Sequence, residues 1–215
     1  AHRQVLSETN YTLTLRNRLV IDGESRRVTT RRRRVATDAR TYRVTRTEQT
    51  SNFAPSNYAG VTGYWYNGSA ELVRYAQESG RRYATVDEPG RGLLDDPTEH
   101  RAIAAMIRAF DTETVTPRRL SNGSYRLRVA DLSRSTGIPE QGYFVAPRNA
   151  TLQLTVDERG YVESYRVAYN ATIAGTDREV RVVRRLAVSR VGQTQVTPPD
   201  WAARVRATSP TDQDG

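Results

Sequence analysis

The chain has 215 residues, 37% of them hydrophobic and 27% charged, with a formal net charge of +9. That length can bury a full core in one domain. There is no apolar run of the roughly 18 residues a membrane span needs, and no cysteine, which excludes a disulfide framework, a thiol nucleophile and a thiolate metal site. All 33 basic residues are arginine, so these cations stay charged and can pair bidentately with carboxylate or phosphate.

Most of the chain alternates with period two. Tyr11, Leu13, Leu15, Leu19 and Ile21 occupy odd positions, with Thr12, Thr14, Arg16 and Arg18 between them. This is the pattern of a half-buried strand, interrupted by Asn17 on its apolar side. Asp22-Gly23-Glu24-Ser25 reads as a turn, followed by a long strand to about Ala36 and another from Thr41 to Thr50. A loop with Asn52, Pro55, Ser56 and Asn57 breaks the pattern.

Asn67-Gly68 between two β-prone runs predicts a type I′ hairpin, with both central residues at positive φ. Arg81 to Val86 reads as a further strand, and Asp87 to Asp95 as a loop. One helix is then expected over 97–110. Asp96 is placed as its N-cap, Pro97 at its first position and Glu99 at its third, with Ile103, Met106, Ile107 and Phe110 on its apolar face.

Residues 113–129 read as a hairpin turning at Asn122-Gly123, and 131–147 as a loop with a short helix near 132–136. The last third is a meander that turns at Glu158-Arg159-Gly160. Tyr161, Tyr165, Val167, Tyr169, Ala171 and Ile173 share one face of its long strand, and a final strand covers 177–191. The fold class is therefore mainly β with one or two helices, as a single domain over 1–203. The tail at 204–215 is expected to be polar and disordered.

Five of the eight asparagines, Asn10, Asn67, Asn122, Asn149 and Asn170, lie in Asn-x-Ser/Thr sequons. The share of Ser and Thr would place only about 1.4 there by chance. The excess points to an extracytoplasmic address, cell surface or secreted, with these five as glycosylation candidates. Asn67 and Asn122 also have a plain explanation as hairpin turns. The opening Ala1-His2-Arg3 is what a processed chain with its leader removed would show, and an anchor on such a segment would keep the protein near a membrane.

Arg31, Arg32, Arg33 and Arg34 are candidates for anion binding. They lie inside a strand pattern, so alternate arginines point to opposite faces. A solvated face with cross-strand Arg–Asp/Glu pairs is the plainer expectation. No RNA-binding aromatic–basic motif and no DNA recognition helix accompanies them, so no specific nucleic acid is expected. Tyr64, Trp65, Tyr66, Tyr75 and Tyr83 read as core packing or as a ligand-lining cluster, and both predict the same alternation. His2 and His100 are the only histidines. No hydrolase, P-loop or dinucleotide-binding motif is present, so neither a catalytic triad nor an imidazole metal site is expected, and no cofactor.

The order of elements resembles a known type. The early hairpin is followed by Tyr64-Trp65-Tyr66-Asn67-Gly68-Ser69, one mid-chain helix, the stretch Val156-Asp157-Glu158-Arg159-Gly160-Tyr161, and a closing strand with Val196-Thr197-Pro198-Pro199. Over about residues 5–203 this resembles the secreted lipoproteins of halophilic archaea, similar in architecture to LolA/LppX-type lipid and lipoprotein carriers. The resemblance implies a strongly curved antiparallel sheet, an incomplete barrel, with a helix packed on its concave side over a space that holds acyl chains. Leu13, Leu15, Tyr64, Tyr66, Ile103, Ile107 and Phe110 would line that space. The chain departs from the family in its basic charge and in lacking a cysteine to lipidate.

The expected function is thus non-enzymatic binding of a lipid or an acylated protein. The alternative is an Arg-rich β adhesion or assembly module that binds acidic surface polymers or partner proteins.

Overall fold

Alternation in the first strand organises the molecule. The computed structural model describes residues 1–37, 41–50, 60–77, 80–86, 96–130, 132–134, 138 and 143–208. In it β1 (Tyr11–Ile21) buries the five large apolar side chains read from the pattern and exposes Arg16 and Arg18. At the end of β1, Asp22 and Gly23 have φ of 54° and 77°. Ile21 pairs directly with Glu24, so these two residues alone make a type I′ loop, whose twist matches the flanking strands.

The chain continues as a meander through β2 (Glu24–Ala36), β3 (Thr41–Thr50), β4 (Val61–Tyr66), β5 (Glu71–Gln77) and β6 (Gly80–Val86). After helix α2 (His100–Ala109) a second meander follows. It comprises β7 (Arg118–Arg119), β8 (Tyr125–Ala130), β9 (Phe144–Val156), β10 (Val162–Ile173) and β11 (Glu179–Ser189). β11 returns to pair antiparallel with β1, from Thr12 opposite Ser189 to Val20 opposite Arg181. The two meanders therefore join into one antiparallel sheet of 11 strands, β6-β5-β4-β3-β2-β1-β11-β10-β9-β8-β7. The edge strands β6 and β7 do not pair with each other, so the sheet stays open. This is the mainly β, incomplete-barrel class expected above.

α2 lies across the inner face. It buries Ile103, Met106 and Ala109 in a core shared with Leu13, Leu152, Val167, Tyr169 and Val182 of the sheet. A smaller cluster sits on the outer face of β4 and β5, where Trp65 and Leu72 pack against Trp201, Ala202 and Val205. Trp201 stacks on Tyr83 with ring centroids 5.9 Å apart, and the Arg74 guanidinium lies 5.8 Å over its ring.

Three local expectations are corrected, and one helix is added to them. The polar tail expected from 204 begins as helix α3 (Ala202–Thr208), with Val205 buried against Trp201. A short helix α1 (His2–Ser7) precedes the sheet, held by tertiary contacts rather than by caps. The Asn67-Gly68 loop is a hairpin but not type I′. Only Gly68 has positive φ, and Asn67 Oδ1 instead accepts from the Ser69 and Ala70 amides at 3.0 and 2.8 Å. Strand β9 starts at Phe144, inside the loop expected over 131–147.

The loop breakers at 52–57 and the loop at 87–95 fall outside the described residues. So does most of the short helix expected near 132–136, of which 132–134 are not helical.

Candidate functional site

The start of α2 builds the site. Asp96 does cap the helix, but from one turn further out than the sequence suggests. Its Oδ1 accepts the His100 amide and its Oδ2 the Arg101 amide, each at 2.9 Å, and Oδ1 also meets His100 Nδ1 at 2.6 Å. Burial opposes ionisation of Asp96. The Arg101 amide and the His100 ring and amide outweigh it and hold the carboxyl below its usual range. Pro97 and Thr98 sit in the preceding turn, and Glu99 occupies the cap position in the left-handed region, φ 60°. A non-glycine residue there costs on the order of 1 kcal/mol.

That conformation sends Glu99 to the sheet rather than back to its own helix. Its Oε1 accepts from Arg31 and, at 3.1 Å, from Arg33 Nη2, while Oε2 lies 3.4 Å from Arg184 Nη2. Arg33, only 3% exposed, also donates to the carbonyls of Asp96 and Pro97. Arg184 Nε donates to the Tyr165 hydroxyl at 2.8 Å. One carboxylate thus ties the helix start to β2 and β11, the strands on either side of β1. Burial pushes the Arg31 guanidinium down, as do Arg33 and Arg184, while Glu99 pushes it up; so near the top of the scale it stays charged at neutral pH. Burial pushes the Tyr165 hydroxyl up.

Two cavities flank this cluster on the inner face. The larger, about 390 Å³, is lined by Leu6, Tyr11, Val35, Tyr42, Tyr66 and Pro97, with Arg33 and Thr98 at one side. Burial pushes the Tyr11 and Tyr42 hydroxyls well up, so both stay neutral. Tyr42 stacks on Tyr66 with centroids 5.3 Å apart. The second cavity, about 230 Å³, is lined by Arg27, Arg31, Arg46 and Arg184 together with Leu15 and Asn17. Asn17 breaks the apolar side of β1 because its row meets Thr29 and Arg184 at this polar space rather than the core.

His2 fastens α1 beside the site. Its Nδ1 accepts the Val162 amide at 3.0 Å, so its Nε2 carries the proton and donates to the Thr98 carbonyl at 2.9 Å. Burial holds its pKa below 6.5.

The sequence candidates divide. Leu13, Ile103 and Phe110 are packed core, and Ile107 is half-buried against it. Leu15 lines the arginine cavity, Tyr66 the apolar one, and Tyr64 is half-buried on the same inner face. Arg31 and Arg33 point inward to Glu99. Arg32 and Arg34 line the outer face with Arg43. The expected cross-strand acid pairs are therefore replaced. The inner arginines meet a carboxylate from the helix, and among the described residues the outer two form no ion pair. Of the sequon asparagines, Asn122 and Asn149 are exposed, and Asn10, Asn67 and Asn170 half-buried. Asn10 Oδ1 accepts the Thr37 amide at 2.7 Å. Glu99, Arg184 and Tyr165 carry no sequence signal as a group, since the fold brings them together from three distant segments.

No family model matches the chain, and no curated protein is similar to it in sequence. Among solved structures it is similar to a LolA superfamily protein from Nitrosomonas europaea, at 11% identity and a TM-score of 0.28, over 92% of this chain and 93% of that one. A likeness of that size carries no functional argument, and the case rests on the geometry.

Proposed function

We propose that the protein is an extracytoplasmic, non-enzymatic binding protein. It holds the apolar part of a lipid or an acylated partner in the cavity bounded by α1, the start of α2 and strands β1 to β4. The observation that carries this reading is the cavity of about 390 Å³ on the helix-covered face, whose lining combines Leu6, Val35 and Pro97 and three tyrosines with polar groups. That volume falls within the roughly 300–1,000 Å³ of small-molecule sites, which are mostly apolar with a few fixed polar groups. Here buried Arg33 and Thr98 are among those groups. The five sequons support the address. Both histidines support a non-catalytic role, since each is bound in a structural contact.

Native mass spectrometry of the purified chain tests the proposal. A lipid mass should accompany the wild type and be lost from Val35→Phe, which enlarges an inward side chain of the cavity wall. Far-ultraviolet circular dichroism should show the same sheet in both. A wild type that neither retains a lipid nor takes up a fluorescent fatty acid would end this reading.

A further inference from the structure

The outer face of the sheet carries a line of like charges. Arg16 on β1 stands directly opposite Arg185 on β11, and Arg185 directly opposite Arg166 on β10. Residues paired in this way share a face and lie within about 5.5 Å at Cα. The row extends to Thr30 on β2 at one end, and to Gln153 on β9 and Arg128 on β8 at the other. It therefore crosses six strands, about 24 Å at the usual strand spacing, as Thr-Arg-Arg-Arg-Gln-Arg. Every side chain in it donates hydrogen bonds. Arg18 and Arg181 flank it on one side and Arg32 on the other.

Like charges directly opposite one another destabilise a sheet. Among the described residues, none of Arg16, Arg128, Arg166 and Arg185 forms an ion pair. The chain does not lack carboxylates, since it has 24 Asp and Glu, and at the margin of this face Glu179 pairs with Arg148. Nor does strand alternation demand arginine, because Thr12 and Thr14 serve on the same face of β1. Burial lowers the pKa of Arg166, and Arg185, Arg181 and Arg128 lower it further. Among the described residues α3 and Trp201 pack on the outer face at β4 to β6, and Arg16, Arg128 and Arg185 are exposed.

We propose that the row is a docking track for a linear acidic polymer bearing carboxylate or sulfate groups, which supplies across the strands the counter-charge that the sheet lacks. A linear partner fits a single file of donors on a convex surface. A flat membrane would touch such a surface only at its crest, and among the described residues the large exposed apolar ones, Tyr125, Tyr143 and Val145, all lie outside the row.

The test is fluorescence anisotropy of labelled poly-L-glutamate and of dextran sulfate with the full chain, over a salt series. Binding at low salt should weaken steeply as salt rises. The triple variant Arg16→Gln/Arg166→Gln/Arg185→Gln should bind at least tenfold more weakly. Arg148→Gln, outside the row and already paired, should change affinity by less than twofold. The triple variant should melt at the same or a higher temperature, because it relieves repulsion. A lower melting temperature would show that the arginines are structural and overturn the proposal. So would the absence of binding to both polymers, undiminished binding by the triple variant, or tighter row-dependent binding to phosphatidylglycerol vesicles or to single-stranded DNA.

Discussion

Glu99→Gln is the sharpest perturbation of the inner face. It keeps the size and an acceptor oxygen and removes the charge that three guanidiniums share. Breaking a buried ion pair from one side costs about 3–5 kcal/mol, because the remaining charge is left uncompensated. The three arginines do not contribute equally. The side chain of Arg31 is 33% exposed, so water screens its share, whereas Arg33 at 4% and Arg184 at 14% are largely cut off from solvent. Arg33 still has the carbonyls of Asp96 and Pro97, which places the loss near the lower bound, about 3 kcal/mol.

With a urea slope of about 3 kcal/mol per molar, the denaturation midpoint should fall by about 1 M. Hydrogen exchange should quicken first in α2, which the carboxylate ties to the sheet. Adding Arg33→Met to Glu99→Gln should recover part of the loss, since an apolar replacement removes the stranded charge. A midpoint lowered by less than about 0.3 M at unchanged slope would refute the reasoning, because the cluster would then be solvated rather than buried.

Two further predictions concern the elements around the site. Burial depresses the pKa of His2, so between its folded value and 6.5 the unfolded chain binds more protons. Its contribution is fully present above pH 6.5 and is lost as pH falls through the folded value. Urea midpoints should decline over that window in the wild type and flatten in His2→Ala; Asp96 titrates below 3.8 and lies outside the window. Trp201→Ala should cost about 3–5 kcal/mol, as for other buried aromatics, and hydrogen exchange should show β4 to β6 losing protection while β8 to β11 keep theirs.

Local chemistry was legible where it decides the outcome alone. The parity of β1 follows from side chains that alternate at every step, and Asp22-Gly23 turns as its sequence requires. Asp96 also caps as its type suggests. Glu99 was misplaced because its position is not set locally. A glutamate three residues after an aspartate satisfies a capping pattern, but here Arg31, Arg33 and Arg184 draw it into a left-handed conformation from 68, 66 and 85 residues away. α1 and α3 were missed for a related reason. Short helices have little intrinsic stability, and these two form where His2 and Trp201 anchor them. The outer arginine row depends on β1 pairing with β11, a contact between opposite ends of the chain that periodicity cannot reveal.

Strand parity separates the arginines into two populations with different causes. On β2, Arg31 and Arg33 face the helix and Arg32 and Arg34 face outward, although the four are consecutive. The inward pair has its explanation within the fold, because Glu99 meets both and α2 closes over the result. Parity requires only that the alternate residues point outward; it does not require them to be charged. Threonine suits the same pleated surface and already fills neighbouring outer positions. An outer row in which Arg16, Arg185 and Arg166 stand opposite one another, without an ion pair among the described residues, lowers stability without serving the inner site. Its cause therefore lies outside the fold, and the two faces should respond separately to mutation. Changes at Glu99 should move stability and the seating of α2, and changes at Arg16, Arg166 and Arg185 should move the capture of polyanions.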